Sequence, residues 1–467
     1  PTVRFMPRFG LAYAWRPNTV IRGGYGIYYD TLNVSHTTID QSGFSRGTST
    51  TITNDQGVTW NHGYFARNNP PATDPFPVRE DGTRFNVPFG NALGINNFLG
   101  RQFIYINPDY QPAKQHRWRL EVERQVGGRS VFAIAYTGAW VGNLGLEKRL
   151  NAPPEKYWAS GLVRNDALAA DMNRQVANPF YIGNFGGLQS SNPLLYQQLS
   201  TLGFFTSRTI ARHQLLRPFP HLSSSDNTGL RQDHTPIGKN WYNALQARFE
   251  KRFSRGWTLH THYEWSHTLS KDWFPNDFDP EPDWRESDNS RPHRWVTTAL
   301  YELPFGRGKL LLNRSGWTNA LFGGWQVGII LQVQSGEAID FGNVFYYGSN
   351  WRDIALPGEQ RTKDRWFNTD NFERNSTRTA SSFHRRVFPN RLNWLRTDGL
   401  EQLDANIQKT FTIKEGFKGQ FRVDLLNAPN NQVLGNPNTD PVNANFGRIT
   451  GFVNTPRYIQ FQLRLSF

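Results

Sequence analysis

Four carboxylates stand at alternate positions in one short stretch of this sequence, Asp277, Asp279, Glu281 and Asp283 within DWFPNDFDPEPDWRESD (272–288). Clustered carboxylate oxygens are the ligands Ca2+ prefers, so this stretch is a candidate Ca2+ site. Its spacing departs from that of an EF-hand loop and two prolines, Pro280 and Pro282, stiffen it; a solvated acidic loop is the competing reading. A second constellation is His260, His262 and Glu264, an imidazole–imidazole–carboxylate set of the kind transition metals use. On an extended strand those three positions spread over roughly 13 Å at ~3.3 Å per residue, too far for one ion, and a water-lined polar face accounts for them better. The glycines of RGGYG (22–26) lie inside an alternating pattern with no helix after them, which points to close strand contact or a bend and away from a phosphate loop. There is no cysteine and no HExxH, P-loop or GxGxxG motif; GFSRG (43–47) has the GxSxG spacing but lies in a long polar segment without the strand–turn–helix context of a nucleophile elbow, so no catalytic residue is assigned and no enzyme is expected.

Aromatic residues form the remaining recognition chemistry. Trp60, Tyr64 and Phe65, then Trp158, Phe180 and Tyr181, then Phe345, Tyr346, Tyr347 and Trp351, then Trp366 and Phe367 fall in long polar segments beside Asn, Arg and Asp. Such faces could bind sugars, peptides or aromatic siderophores. Equally, they could pack the long segments into ordered caps.

The elements that must position these residues read as strands. From Ile459 to Phe467 apolar Ile459, Phe461, Leu463, Leu465 and Phe467 alternate with Gln460, Gln462, Arg464 and Ser466, one apolar face and one polar face. The same period of two recurs in pairs: 3–15 with 19–29, 117–126 with 130–141, 241–253 with 257–269, 295–303 with 325–333, and 403–413 with 420–426. With the final strand this makes about eleven, where single-chain bacterial barrels have even numbers. Between the pairs lie the long segments 31–115, 142–240, 270–293, 335–400 and 427–455, so short and long connections alternate. Transmembrane barrels with short periplasmic turns and long extracellular loops have that order, and the final strand has the parity to run down to the periplasmic side. A soluble all-β binding protein would carry polar residues on both strand faces. Because an open sheet edge is prohibitively costly in lipid, the odd count implies further strands upstream or inside the long segments.

Composition agrees. Aromatics make up 14% of the 467 residues, yet mean hydropathy is −0.63. Interleaved lipid-facing and lumen-facing residues with aromatic girdles produce that combination, and Trp118, Trp140, Trp257, Trp295 and Trp325 near strand ends read as girdle residues. No apolar run approaches the ~20 residues of a spanning helix. The net charge of +14 comes from Lys and Arg dispersed along the chain without a run, which fits anionic headgroups or a lumen better than nucleic acid, and no nucleic-acid partner is expected. The chain opens on Pro1 with no signal peptide, which reads as a C-terminal fragment or a processed or incomplete chain.

Several blocks in order resemble the C-terminal barrel half of TonB-dependent receptors, in the Oar-like subgroup with an N-terminal carboxypeptidase-regulatory-like domain. They are PRFGLAYAWRPNTVIRGGYGIYYD (7–30), WYNALQARFEKRFSRGWTLHTHYEWSHTLSKD (241–272), RPHRWVTTALYELPFGRGK (291–309), GGWQVGIILQVQSG (323–336), RVDLLNAPNNQ (422–432), and NFGRIT with RYIQFQLRLSF (445–467). The resemblance implies an all-β transmembrane antiparallel β-barrel of about 22 strands with long extracellular loops. Residues 1–467 would be its C-terminal portion, in the outer membrane of a Gram-negative bacterium. It further implies TonB-energised uptake of a bulky nutrient such as an oligosaccharide, peptide or metal chelate, with the plug, the TonB-contacting segment and the regulatory-like domain absent from this chain. The implied partners are outer-membrane lipid and lipopolysaccharide, the TonB complex through the missing part, and the barrel assembly machinery, which would read Tyr458, Phe461, Leu463, Leu465 and Phe467. A structural or adhesive barrel without active transport is the alternative. The long loops match the family least.

Overall fold

Eleven strands of one thirteen-stranded sheet form an antiparallel path in which each pairs with its neighbours in chain order, and two short strands join it at the side, Asp283–Glu286 antiparallel and Phe103–Ile106 parallel. They are β1 (Arg8–Arg16), β2 (Thr19–Tyr29), β3 (Lys114–Val126), β4 (Ser130–Arg149), β5 (Leu230–Ser254), β6 (Trp257–Trp273), β7 (His293–Glu302), β8 (Trp325–Gln334), β9 (Leu400–Lys414), β10 (Phe417–Leu426) and β11 (Tyr458–Ser466). The computed structural model describes residues 3–30, 42–48, 55–56, 58, 78, 82–223, 229–414 and 416–467. Every strand expected from the alternation is present. Among the described residues the long connections add no wall strand to the path, and the sheet ends at β1 and β11.

One face of this wall is predominantly apolar because the register keeps the alternation in phase from strand to strand, with the bonded pair Thr261 and Thr297 and, at the rim, Lys251 and Lys409 among its polar members. Tyr25 stands opposite Trp118, Val122 opposite Ile134, Leu245 opposite Trp265, Ile329 opposite Ala405, and Phe421 opposite Leu463. A slip of one residue anywhere would turn the next strand's apolar set to the other side. Trp118 lies flat over Gly138, where a Cβ would come within 2.3 Å of the indole, so this contact requires glycine. Trp257 and Trp265 mark the two ends of the apolar band on β6, eight residues or roughly 26 Å of extended chain apart, close to the ~25 Å apolar height of an outer-membrane barrel. Among the described residues no helix is long and apolar enough to cross a membrane.

The wall extends beyond the expected strands on the side of the long connections. β4 runs on to Arg149 and β5 begins at Leu230, with register shifts after Val141, Leu144 and Leu146 and positive φ at Asn143 and His234. Past the apolar band both faces meet polar surroundings, and bulges break the phase, so no period of two remains to be read. Short helices also form there. Asp166–Asn173 is capped by Asn165, whose side chain accepts from Leu168 N–H at 2.9 Å, and Pro193–Leu199 by Asn192 with proline at its first position.

The protein's hydrophobic core lies in this outer region. Segments 335–400 and 427–455 fold together as a cap around Phe341, Phe367, Phe372, Phe388, Leu395 and Phe446. The rings pack edge-on, Phe341 to Phe388 at 5.3 Å and Phe372 to Phe446 at 5.1 Å between centroids.

Candidate ligand-binding site

On the inward face the wall carries linked polar rows. Arg119 donates to Glu121, to Thr137 at 3.0 Å and to Gln246 at 2.6 Å; Gln246 donates to Glu264 at 2.8 Å, and the Tyr242 hydroxyl donates to the same carboxylate at 3.1 Å. Arg22 and Arg248 converge on Glu123 at 3.6 and 3.3 Å. His262 approaches Glu264 at 4.0 Å, while His260 stands two residues along the strand, so the three do not close around an ion. RGGYG lies inside β2 in unbroken register, with Gly26 beside the Tyr28 ring and that ring between Arg8 and Arg117 at 4.7 and 5.3 Å. Fixed cations, carboxylates and amides of this kind make a hydrated lumen lining.

The acidic stretch turns over the end of β6, and its carboxylates are held apart. Asp277 pairs with Arg149 at 2.9 Å, Asp279 accepts from Asn276 N–H at 2.7 Å, and Glu281 pairs with Lys271 at 2.6 Å. Asp283 begins the short strand Asp283–Glu286 that pairs with β6. The Lys271 ammonium holds the Glu281 carboxyl below the usual range. Among the described residues no group of three or more His, Asp or Glu is placed to share a metal ion, so the candidate carboxylates at 277–283 lie as a paired, solvated loop.

The aromatic candidates divide by burial. Tyr346 and Trp366 are 5% and 7% exposed inside the cap, with Trp366 Nε1 donating to Arg396 O at 2.7 Å; they pack the loops and present no face to a ligand. Phe345 and Phe367 are fully buried. Tyr347 and Trp351 are exposed on the cap, the Tyr347 hydroxyl donating to Glu373 at 2.9 Å. Tyr181 is half-buried beneath Arg208. Trp60 and Tyr64 lie outside the described residues.

Trp158, Asp277 and Asp279 do come together. A cleft of about 590 Å³ opens between the tip of β4, the acidic stretch and segment 383–386, lined by Lys148, Arg149, Glu155, Asp277, Phe278 and Arg385. A second hollow of about 380 Å³ shares Lys148, Arg149, Asp277 and Asp279 and adds Trp273 and Arg386. Trp158 backs Phe278 at 5.1 Å and Phe383 at 5.6 Å. Arg385 pairs with Glu155 at 2.5 Å, and Ala159 exchanges backbone bonds of 2.8 Å with Phe383 and Arg385, which stitches two long loops together. Behind this seam His213 packs against Phe383 with the rings tilted and 5.1 Å between centroids, and burial beside Arg217 lowers its pKa to about 4. Charges of both signs with aromatic faces in one cleft can orient a polar ligand while stacking its apolar part. Arg149, Phe278 and Arg385 carried no sequence signal, being single residues in segments far apart in the chain.

The model of a family described as outer membrane beta barrel domain matches residues 2–460. No curated protein matches the chain in sequence. Among solved structures, the outer membrane transporter YddB from Escherichia coli is similar at 10% identity with a TM-score of 0.40, over 99% of this chain and 40% of that one. The FrpB iron transporter from Neisseria meningitidis gives 8% and 0.39 over 99% and 39%, and the pyoverdine outer membrane receptor FpvA from Pseudomonas aeruginosa PAO1, bound to pyoverdine, 9% and 0.39 over 99% and 36%. The chain thus spans less than half the length of these proteins.

Proposed function

Since this chain belongs to the outer membrane beta barrel domain family, we propose that it forms the C-terminal part of a TonB-dependent receptor that takes up a bulky nutrient. Its wall spans the outer membrane of a Gram-negative cell. The observation that supports uptake is the cap: long loops fold over one end of the wall around a real core and leave the cleft at Arg149, Asp277, Phe278 and Arg385 open. In this reading the strands that close a barrel of about 22, the plug and the TonB-contacting segment belong to the rest of the protein. The ligand is an oligosaccharide, a peptide or a metal chelate, classes that offer both polar groups and a stackable face. Assembly machinery reading Tyr458, Phe461, Leu463, Leu465 and Phe467, and lipopolysaccharide around the outer rim, complete the set of partners.

Growth of a strain lacking the gene, on panels of these nutrients and with TonB intact or inactivated, tests the proposal. Loss of growth on one nutrient in both backgrounds is expected, and in cells carrying Arg149→Ala with Phe278→Ala its uptake should fall about ten-fold, as loss of ~1.4 kcal/mol of binding would give. Unchanged growth on every nutrient, with altered attachment of cells to surfaces, would replace uptake by an adhesive role.

A further inference from the structure

At the end of the wall where β1–β2, β3–β4 and β5–β6 are joined by tight turns, β7 and β8 are joined by the much longer segment 303–324, LPFGRGKLLLNRSGWTNALFGG. It holds no acidic residue. Its apolar side chains point away from protein: Leu310 is 87% exposed, Trp317 75% and Leu321 57%, with Leu311, Leu312 and Phe322 also open. Contiguous exposed groups of this size mark a surface that something covers.

The attachment of the segment shows which side it takes. The helical turn Trp317–Phe322 ends against Trp325 and Lys409, which stand opposite each other in the β8–β9 register on the outward, apolar face. Trp325 Nε1 donates to Leu321 O at 3.0 Å, and Lys409 Nζ donates to Leu321 O at 2.8 Å and Gly323 O at 3.1 Å. Gly324, with φ of +76° and Thr410 O 2.5 Å from where a Cβ would stand, permits the sharp entry into β8. The helical turn is therefore continuous with the membrane-facing surface of the wall, while the other end of the segment is tied at the rim, where Lys309 pairs with Glu302 of the inward row at 2.6 Å and leaves Leu310–Leu312 exposed beyond the strand ends. Around it the rim is cationic: Lys409 sits over Trp325 at 5.1 Å, Lys251 over Trp257 at 3.8 Å on the neighbouring hairpin, and Arg307 and Arg314 are exposed.

We propose that residues 310–322 lie in the headgroup–acyl boundary of the leaflet on the short-turn, periplasmic side, and that Arg307 and Arg314 hold the phosphates of anionic glycerophospholipid there. An amphipathic segment with Trp and Leu on one side and cations beside them partitions to that depth, and each cation adds attraction to an anionic surface. The inference rests on the membrane-spanning wall alone and stands whether or not the protein transports anything.

This chain has no cysteine, so with any cysteine elsewhere in the protein replaced by serine an introduced thiol is the sole label site. The whole protein, carrying Leu310→Cys or Trp317→Cys and an environment-sensitive fluorophore, is reconstituted in vesicles of phosphatidylcholine mixed with phosphatidylglycerol, with Gly128→Cys in the β3–β4 turn as the water-exposed reference. Retention of the heat-modifiable band shows that each variant folds. Labels at 310 and 317 should emit to the blue of the reference, be quenched by a headgroup-proximal nitroxide lipid and resist aqueous iodide. Nitroxide phosphatidylglycerol should quench more than nitroxide phosphatidylcholine, and Arg307→Gln with Arg314→Gln should reduce that preference, by roughly five-fold per removed cation. Labels as open to iodide as the one at 128 would overturn the proposal, and labels shielded from both quenchers would overturn it in favour of a protein cover. A lipid preference unchanged by the double substitution would overturn the phosphate contact.

Discussion

The wall and the cap use the same apolar residue types in opposite ways. On the wall Leu120, Phe461 and Leu463 are 56%, 69% and 66% exposed, and it is lipid that takes them out of water. In the cap Phe345, Ile354 and Phe367 are fully buried by other side chains of the same chain. Among the described residues the largest fully buried side chains include these three with Phe341, Leu392 and Leu395, and none of them comes from the membrane-crossing strands. The difference teaches that a bilayer relieves a wall of the need for an interior: its apolar residues need only face one way, while the cap stands in water and must build a core as a soluble domain does.

Substitutions in the two regions should therefore fail differently. The largest effect is expected for Phe367→Ala, which empties a ring-sized site in the cap core and should cost about 3–5 kcal/mol of cap stability. Limited proteolysis should then cut segment 335–400 while the heat-modifiable wall survives; simultaneous loss of both would show that cap and wall fold as one cooperative unit. Next comes Ile134→Arg, which puts a charge on the outward face of β4 and should cost about 2–4 kcal/mol in a bilayer near the midplane. Gln332→Arg on the inward face of β8 should change stability little in the same denaturant titration, and equal effects from the two would refute the assignment of faces.

The smallest effect is a pH response confined to the cap. His213, whose folded-state pKa is about 4 against an ordinary 6.5, is neutral in the folded loop, and its Nδ1 is buried without a hydrogen-bond partner among the described residues. Protonation favours the unfolded loop, so its contribution is fully present above pH 6.5 and is lost progressively as pH falls from 6.5 through 4. The Arg217 guanidinium nearby repels the protonated ring and adds to that loss. Hydrogen-exchange protection at 212–216 and 383–385, taken relative to the intrinsic exchange rate at each pH, should fall between pH 7 and pH 5 with that of the strands unchanged, and His213→Leu should abolish the fall. An equal fall in that variant would assign the response to other groups.

Much of the wall was legible because the membrane imposes a rule that each residue obeys alone: outward apolar, inward polar, at a period of two. Hence the strand pairs, their order and the alternation of short and long connections could be read from residues such as Trp118 to Val126 and Ile459 to Phe467. The cap follows no such rule. Tyr346 and Trp366 look the same in sequence as Tyr347 and Trp351, yet two are core and two are surface, because contacts between segments 335–400 and 427–455 decide burial. The acidic stretch was conspicuous as composition, but whether its oxygens converge depended on Arg149 and Lys271, which neighbouring strands bring to Asp277 and Glu281 and which hold them apart. The sequence by itself determined a membrane wall, its strand order and its faces, since solvent acts on each side chain locally and the strand period records it. Only the tertiary structure decided the cap, the cleft and the outward seat of segment 303–324, since these depend on which distant residues meet, and pair contacts leave no period in a chain.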